Sequence, residues 1–111
     1  MSRSLGSALD ELAQVIAARA AAGDAASSYT AQLLGQGVER CAQKFGEEAI
    51  ETILAAVGGD RQHLAAEAGD VLFHLLVLLT AGGVSGEAVA AELDRRAGRS
   101  GLDEKAARPA P

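Results

Sequence analysis

Two short acidic clusters stand out in this chain of 111 residues. The first is Lys44-Phe-Gly-Glu47-Glu48-Ala-Ile-Glu51, and the second is Glu67-Ala-Gly-Asp70, with His63 and His74 one turn to either side. In a helix successive residues rotate by about 100°. Lys44, Glu47, Glu48 and Glu51 therefore share one stripe, and His63, Glu67, Asp70 and His74 share another. The spacings Glu48-x-x-Glu51 and Glu67-x-x-Asp70 each put two carboxylates on one helix face. Brought together, the pairs offer four oxygen ligands and no thiolate, a set that suits Mg²⁺, with Mn²⁺ as the alternative, over Zn²⁺. Mg²⁺ held in this way takes its remaining ligands from water and substrate phosphates.

The residues alone leave a second reading open, since most charged stripes are solvated or salt-bridged helix faces. Two features favour a cation. Glu47, Glu48 and Glu51 include like charges one turn apart, which destabilise a helix by a few tenths of a kcal/mol per pair, and only Lys44 partly offsets them. The second stripe is narrow and flanked by Leu64, Leu72, Phe73, Leu75 and Leu76, which predicts carboxylates withheld from water. Crowded in apolar surroundings, such groups repel one another and hold protons more tightly unless a cation compensates.

Two long helices must position these stripes. Residues 38–57 carry a helical pattern interrupted only by Gly46, Gly58-Gly59-Asp60 reads as a turn, and a second pattern runs from Arg61 to Ala81 before Gly82-Gly83. Helices joined so tightly lie antiparallel as an αα-hairpin. Ahead of them, Leu5, Leu9, Leu12 and Ile16 recur at helical spacing behind Ser4 or Ser7 as a cap, up to Gly23. Ser27 or Ser28 caps a short helix through Leu34, broken by Gly35 and Gly37, and Ser85 caps a fourth main helix over 86–97. Residues 98–111 lose the periodicity. They are expected to form a partly flexible tail beyond a domain at 1–97, available to cover the site.

Hydrophobic residues make up 49% of the chain and aromatics only 3%. The apolar material is mostly Ala, Leu and Val, which favours helices over strands. The expectation is an all-α helical bundle built on the hairpin. Both hairpin helices are apolar around most of their circumference, more than a lone hairpin buries, so dimerisation is expected to complete the bundle. A homodimer or higher homo-oligomer follows.

A formal net charge of −5 disfavours a nucleic-acid partner. Asp10 and Glu11 interrupt any secretory leader, and the strongest apolar run, residues 71–81, is too short to span a bilayer and contains His74. These features point to a soluble, cytoplasmic protein with no membrane partner. The lone Cys41, in an apolar stretch, reads as core packing in a reducing compartment.

Three segments carry a family resemblance: Ser-Tyr-Thr-Ala at 28–31, Ala-Gln-Lys-Phe-Gly-Glu-Glu-Ala-Ile-Glu at 42–51, and Glu-Ala-Gly-Asp-Val-Leu-Phe-His-Leu-Leu-Val-Leu-Leu at 67–79. Together with Arg-Ser-Gly-Leu-Asp-Glu-Lys-Ala-Ala-Arg at 99–108, they resemble the phosphoribosyl-ATP pyrophosphohydrolases of histidine biosynthesis, over most of the chain. The paired acids alone indicate only the wider superfamily of all-α nucleotide pyrophosphohydrolases, with its MazG-like and dimeric dUTPase-like branches. The other motifs narrow the resemblance to the phosphoribosyl-ATP branch. The chain departs from the pattern at Gln32, where a lysine is expected, and at Gly69 and Phe73.

The resemblance implies Mg²⁺-dependent hydrolysis of 1-(5-phosphoribosyl)-ATP to 1-(5-phosphoribosyl)-AMP and pyrophosphate. Glu48, Glu51, Glu67 and Asp70 would bind metal, and Glu47 would orient or deprotonate water. Lys44 serves either as a phosphate contact or as a salt-bridge partner, with Arg40 in a similar position. His74 either meets a ligand carboxylate or the substrate, or is a hydrogen-bonded core histidine; His63 reads as surface. Ser28, Tyr29 and Thr30 cap the short helix and are candidates for the substrate's ribose or phosphate. The tail cations Arg95, Arg96, Arg99 and Lys105 either close over the anionic substrate, from the same or a partner subunit, or stay solvated. A MazG-like (d)NTP pyrophosphohydrolase is the competing enzyme, and a helical dimerisation module the competing non-enzyme.

Overall fold

Six helices follow one another along the chain: α1 (Leu5–Ala22), α2 (Tyr29–Gly35), α3 (Val38–Gly58), α4 (Arg61–Ala81), α5 (Gly86–Arg96) and α6 (Gly101–Ala107). This computed structural model describes residues 3–109 and contains no strand among them. Residues 1, 2, 110 and 111, the outer ends of the two segments read from the sequence, lie outside the described residues.

Most helix starts are set by a side chain. Ser4, Ser28, Asp60, Ser85 and Ser100 each accept the backbone N–H three residues on, a cap worth about 1 kcal/mol. α3 begins instead after Gly37, at φ 92°. Gly59, at φ 78°, takes the left-handed conformation that ends α3, and Asp60 opens α4 directly after it. The two 21-residue helices, each about 31 Å long, thus fold back on one another and form the main packing contact of the molecule.

α1 and α2 close over one end of this hairpin. Ile16, Leu33, Cys41 and Val77 are buried there, with Leu12, Leu34, Phe73, Leu76, Leu78 and Ala81 packed around them. Cys41 has the structural role expected of it, its Sγ donating to the Leu33 carbonyl oxygen at 3.3 Å. The turn end of the hairpin is not covered: Ile53 is 61% exposed and Val57 83%. The radius of gyration, 15.8 Å, exceeds the roughly 13 Å typical of a compact chain of this length.

Two sequence expectations need correction. The apolar run at 71–81 is only the second half of α4, and the whole helix, Arg61–Ala81, is long and apolar enough to cross a membrane by length and composition. Its Glu67 and Asp70 lie mid-helix beside the acids of α3, and charged groups at that depth are costly in hydrocarbon. The apolar surface of α4 packs in part against α1, α2 and α3. The second correction concerns the tail, which is helical over α6. Ser100 caps it, and Glu104, although only 7% exposed, is held by Arg95 Nη2 at 2.7 Å, Arg96 Nε at 3.6 Å and Arg99 Nη1 at 3.7 Å. Glu92 completes the network through Arg95 and Arg96. α5 and α6 are thereby joined to each other, with only marginal contact to α1–α4.

The hydrogen bond from Arg95 holds the Glu104 carboxyl below the usual range, and bonds from Arg95 and Arg96 bring Glu92 from 4.5 to about 2. Groups that bind protons less readily when folded stabilise fully above their unfolded value and lose that contribution as pH falls through the folded one. The α6 amides should therefore lose hydrogen-exchange protection between pH 4.5 and about 2, ahead of those around Val77. Glu104→Gln should bring the same loss at neutral pH, and uniform protection of α6 and α4 would contradict the network's role.

Candidate active site

The hairpin brings the two acidic stripes face to face. Glu48 from α3 and Glu67 and Asp70 from α4 each offer an oxygen, and all three lie within 4.8 Å of one another. Oxygens sharing one Mg²⁺ at 2.0–2.1 Å stand about 3–4 Å apart, so side-chain adjustment alone would close the set. Glu51, the fourth expected ligand, is exposed one turn after Glu48 and borders a shallow opening with Leu54, His63 and Glu67.

Burial is uneven among these acids. The side chains of Glu48 and Glu67 are only 14% and 15% exposed, whereas Asp70 and Glu51 are open to solvent. The expectation that aliphatic neighbours withhold water holds for Glu67 and fails for Asp70, because nothing in a single chain covers that side of the hairpin. Burial first, then the neighbouring Glu51 and the charge of Asp70, push the Glu48 carboxyl above the usual range, against a smaller opposing pull from Lys44. Glu67 Oε2 is buried with no hydrogen-bond partner. A divalent cation would supply that missing partner and relieve the repulsion, so the residues present fit one.

Around this centre, Lys44 Nζ lies 3.5 Å from Glu47 Oε1 and 3.9 Å from Glu48 Oε1, and Arg40 Nη1 lies 3.9 Å from Glu47 Oε2. His74 is buried, its Nε2 3.9 Å from Glu48 Oε1, beyond hydrogen-bond length. Burial first and Lys44 second disfavour its charged form, against an opposing pull from Asp70 and Glu47. Tyr29, half exposed, stacks on Phe73 with centroids 6.2 Å apart and meets His74 edge-on at 6.1 Å. Ser28 and Thr30 are buried, and the Ser28 hydroxyl is engaged as the α2 cap. Of the three, Tyr29 alone presents open surface.

Arg99 and Lys105 are not brought to the carboxylates. Arg99 faces Glu104, and Lys105 is exposed on α6. His63 is exposed, as its reading as surface expects, and its Nε2 stands 3.1 Å from Glu67 Oε1, a contact its i, i+4 spacing permits. Two contacts of the fold were missed in the sequence. Thr52 Oγ1 bonds the backbone oxygens of both Glu48 and Glu67, which no local pattern indicates. Glu104 could have been sought from Ser100-x-x-Asp103, a helix-start pattern that places it one position further on.

Acids converging from two helices of an all-α hairpin define the class: a helical bundle with a carboxylate cluster that a divalent cation would fit. The sequence model of the Phosphoribosyl-ATP pyrophosphohydrolase family matches residues 9–97, and the chain belongs to that family. Relatives called phosphoribosyl-ATP pyrophosphatase match nearly end to end. That of Parvibaculum lavamentivorans is 59% identical, covering 92% of this chain and 93% of its own. That of Rhodobacter capsulatus is 58% identical, covering 91% and 97%, and that of Rhizorhabdus wittichii is 57% identical, covering 91% and 94%.

Glu48→Gln removes one repelling carboxylate and one ligand. Metal-free, this variant should melt no lower than the wild type. It should also lose the stabilisation that the wild type gains from Mn²⁺, about 2.7 kcal/mol at a hundredfold excess over Kd. Equal Mn²⁺-induced shifts in thermal melts of the two proteins would remove Glu48 from the site.

Proposed function

We propose that the protein hydrolyses 1-(5-phosphoribosyl)-ATP to 1-(5-phosphoribosyl)-AMP and pyrophosphate, the second step of histidine biosynthesis, with Mg²⁺ as its cofactor. The observation that carries this reading is the convergence of Glu48, Glu67 and Asp70 in a chain whose relatives bear the corresponding name.

The reaction asks for neutralisation of a polyphosphate and for a water placed in line with the leaving group. The water oxygen forms a bond to phosphorus, the bridging P–O bond breaks, and pyrophosphate departs with its electron pair. Mg²⁺ held by Glu48, Glu51, Glu67 and Asp70 would supply charge compensation at the phosphate oxygens. Glu47, spare of that set and steadied by Lys44 and Arg40, orients the water and receives its proton. Lys44 and Arg40 then turn toward the phosphates as their partners shift. Tyr29, braced on Phe73 and His74, offers a flat wall for the ribose or base, with the buried Ser28 and Thr30 behind it.

The same reading covers assembly. Ile50, Ile53, Leu54 and Val57 form an exposed apolar ridge that a second copy would bury, giving a homodimer or larger homo-oligomer. Arg99 and Lys105, on a tail that barely touches its own hairpin, close over the substrate of a partner subunit in this arrangement. The acids within α4 and the overall negative charge suit a soluble cytoplasmic enzyme without membrane or nucleic-acid partners.

Pyrophosphate release from phosphoribosyl-ATP, dUTP, dCTP and ATP, each with and without Mg²⁺, tests the assignment. Phosphoribosyl-ATP should be strongly preferred and turnover should require the metal. Asp70→Ala should lower the rate by about 10²–10³-fold with helicity retained. Preference for a simple nucleoside triphosphate would overturn the substrate, and full activity of Asp70→Ala would remove that residue.

A further inference from the structure

Thr52 has a hydroxyl that no part of the chemistry above uses. It lies half-buried on α3, one turn after Glu48 and next to Glu51. Its Oγ1 donates to the Glu48 backbone oxygen at 2.9 Å and to the Glu67 backbone oxygen at 3.2 Å. The first bond is the ordinary i−4 contact of a helical threonine, and Thr80 of α4 makes only that kind, to Leu76 O at 2.9 Å. The second crosses the hairpin. Among the described residues it is the one hydrogen bond joining α3 to α4, and its two acceptors belong to one acid from each pair.

We propose that Thr52 is a positioning residue that fixes the register of the two carboxylate pairs, and so the divalent-cation affinity of the site. The physical need is plain. A slip of one residue between the helices moves one pair by about 1.5 Å relative to the other, while a small hard cation holds its oxygens close to 2.0–2.1 Å. Beside Thr52 on α3, the small Ala55 is buried while Ile53 and Leu54 are exposed. The Thr52 hydroxyl bonds the backbone at the ligand residues themselves, where a register error would matter most. Its second acceptor is a carbonyl already engaged in the α4 ladder, so the bond adds an anchor without displacing a helical one.

This proposal rests on the metal reading, and the test separates the two. Mn²⁺ binding to metal-free protein is measured calorimetrically for the wild type, Thr52→Val, Thr52→Ser and Thr80→Val, with far-UV dichroism and sedimentation as controls. Thr52→Val should bind Mn²⁺ about 10-fold more weakly, the scale seen when residues supporting metal ligands are changed. Thr52→Ser, which keeps the hydroxyl, should stay within about twofold of the wild type, and Thr80→Val should match it. Thr52→Val should also need correspondingly more Mg²⁺ for half-maximal turnover while kcat at saturating metal changes little. Unaltered Mn²⁺ affinity in Thr52→Val overturns the proposal, as does Thr52→Ser being impaired to the same extent. Absence of Mn²⁺ binding by the wild type would instead defeat the metal reading, and the role of Thr52 with it.

Discussion

The mutual repulsion of carboxylates on a half-buried helix pair is the constraint around which this molecule is arranged. Glu48, Glu67 and Asp70 approach within 4.8 Å, and Glu51 stands one turn from Glu48 on the same helix. Left to themselves, such groups push two helices apart or take up protons. Here they are kept together by apolar packing beyond them, by Lys44 beside them and by the Thr52 bond across the hairpin. Crowding of this kind would be relieved by a small, hard, multiply charged cation, the ligand proposed for the site. Polyphosphate chemistry follows naturally, because its substrate brings the negative charge that such a cation still seeks.

The rest of the chain serves this arrangement unevenly. α1 and α2 bury one end of the hairpin around Ile16, Leu33, Cys41 and Val77 and hold its helices where the acids meet. The turn end keeps Ile53 and Val57 exposed, and α5–α6 stand aside, bound to one another through Glu104. Apolar surface of this kind is costly in water, and it is the surface that the proposed homo-oligomer would bury. Asp70 and Glu51, open to solvent in one copy, lie on the same hairpin as the exposed ridge, so one association could cover the ridge and complete the site.

Much of this was legible in the residues. Helical periodicity, Gly58-Gly59-Asp60 and the two acidic spacings were enough to anticipate an all-α hairpin with facing carboxylates, and the segments at 28–31, 42–51 and 67–79 together suggested the family. What escaped was tertiary. The exposure of Asp70 depends on what covers α4, not on its sequence neighbours. The Thr52 bridge joins residues fifteen apart through a backbone acceptor that every residue possesses. α6, seven residues long, is too short to show periodicity, and its main anchor, Glu104 to Arg95, is a contact between helices. Local pattern identifies which side chains can share a face, whereas register and cover are settled only when helices meet.

The central claim is that the four hairpin acids hold the divalent cation on which turnover depends. Crystals grown with Mn²⁺ and measured at a wavelength where manganese scatters anomalously would test it most directly. An anomalous peak bounded by Glu48, Glu67 and Asp70, with Glu51 turned in to meet it, is the expected result. A manganese peak elsewhere on the protein, with these acids unligated, would contradict it.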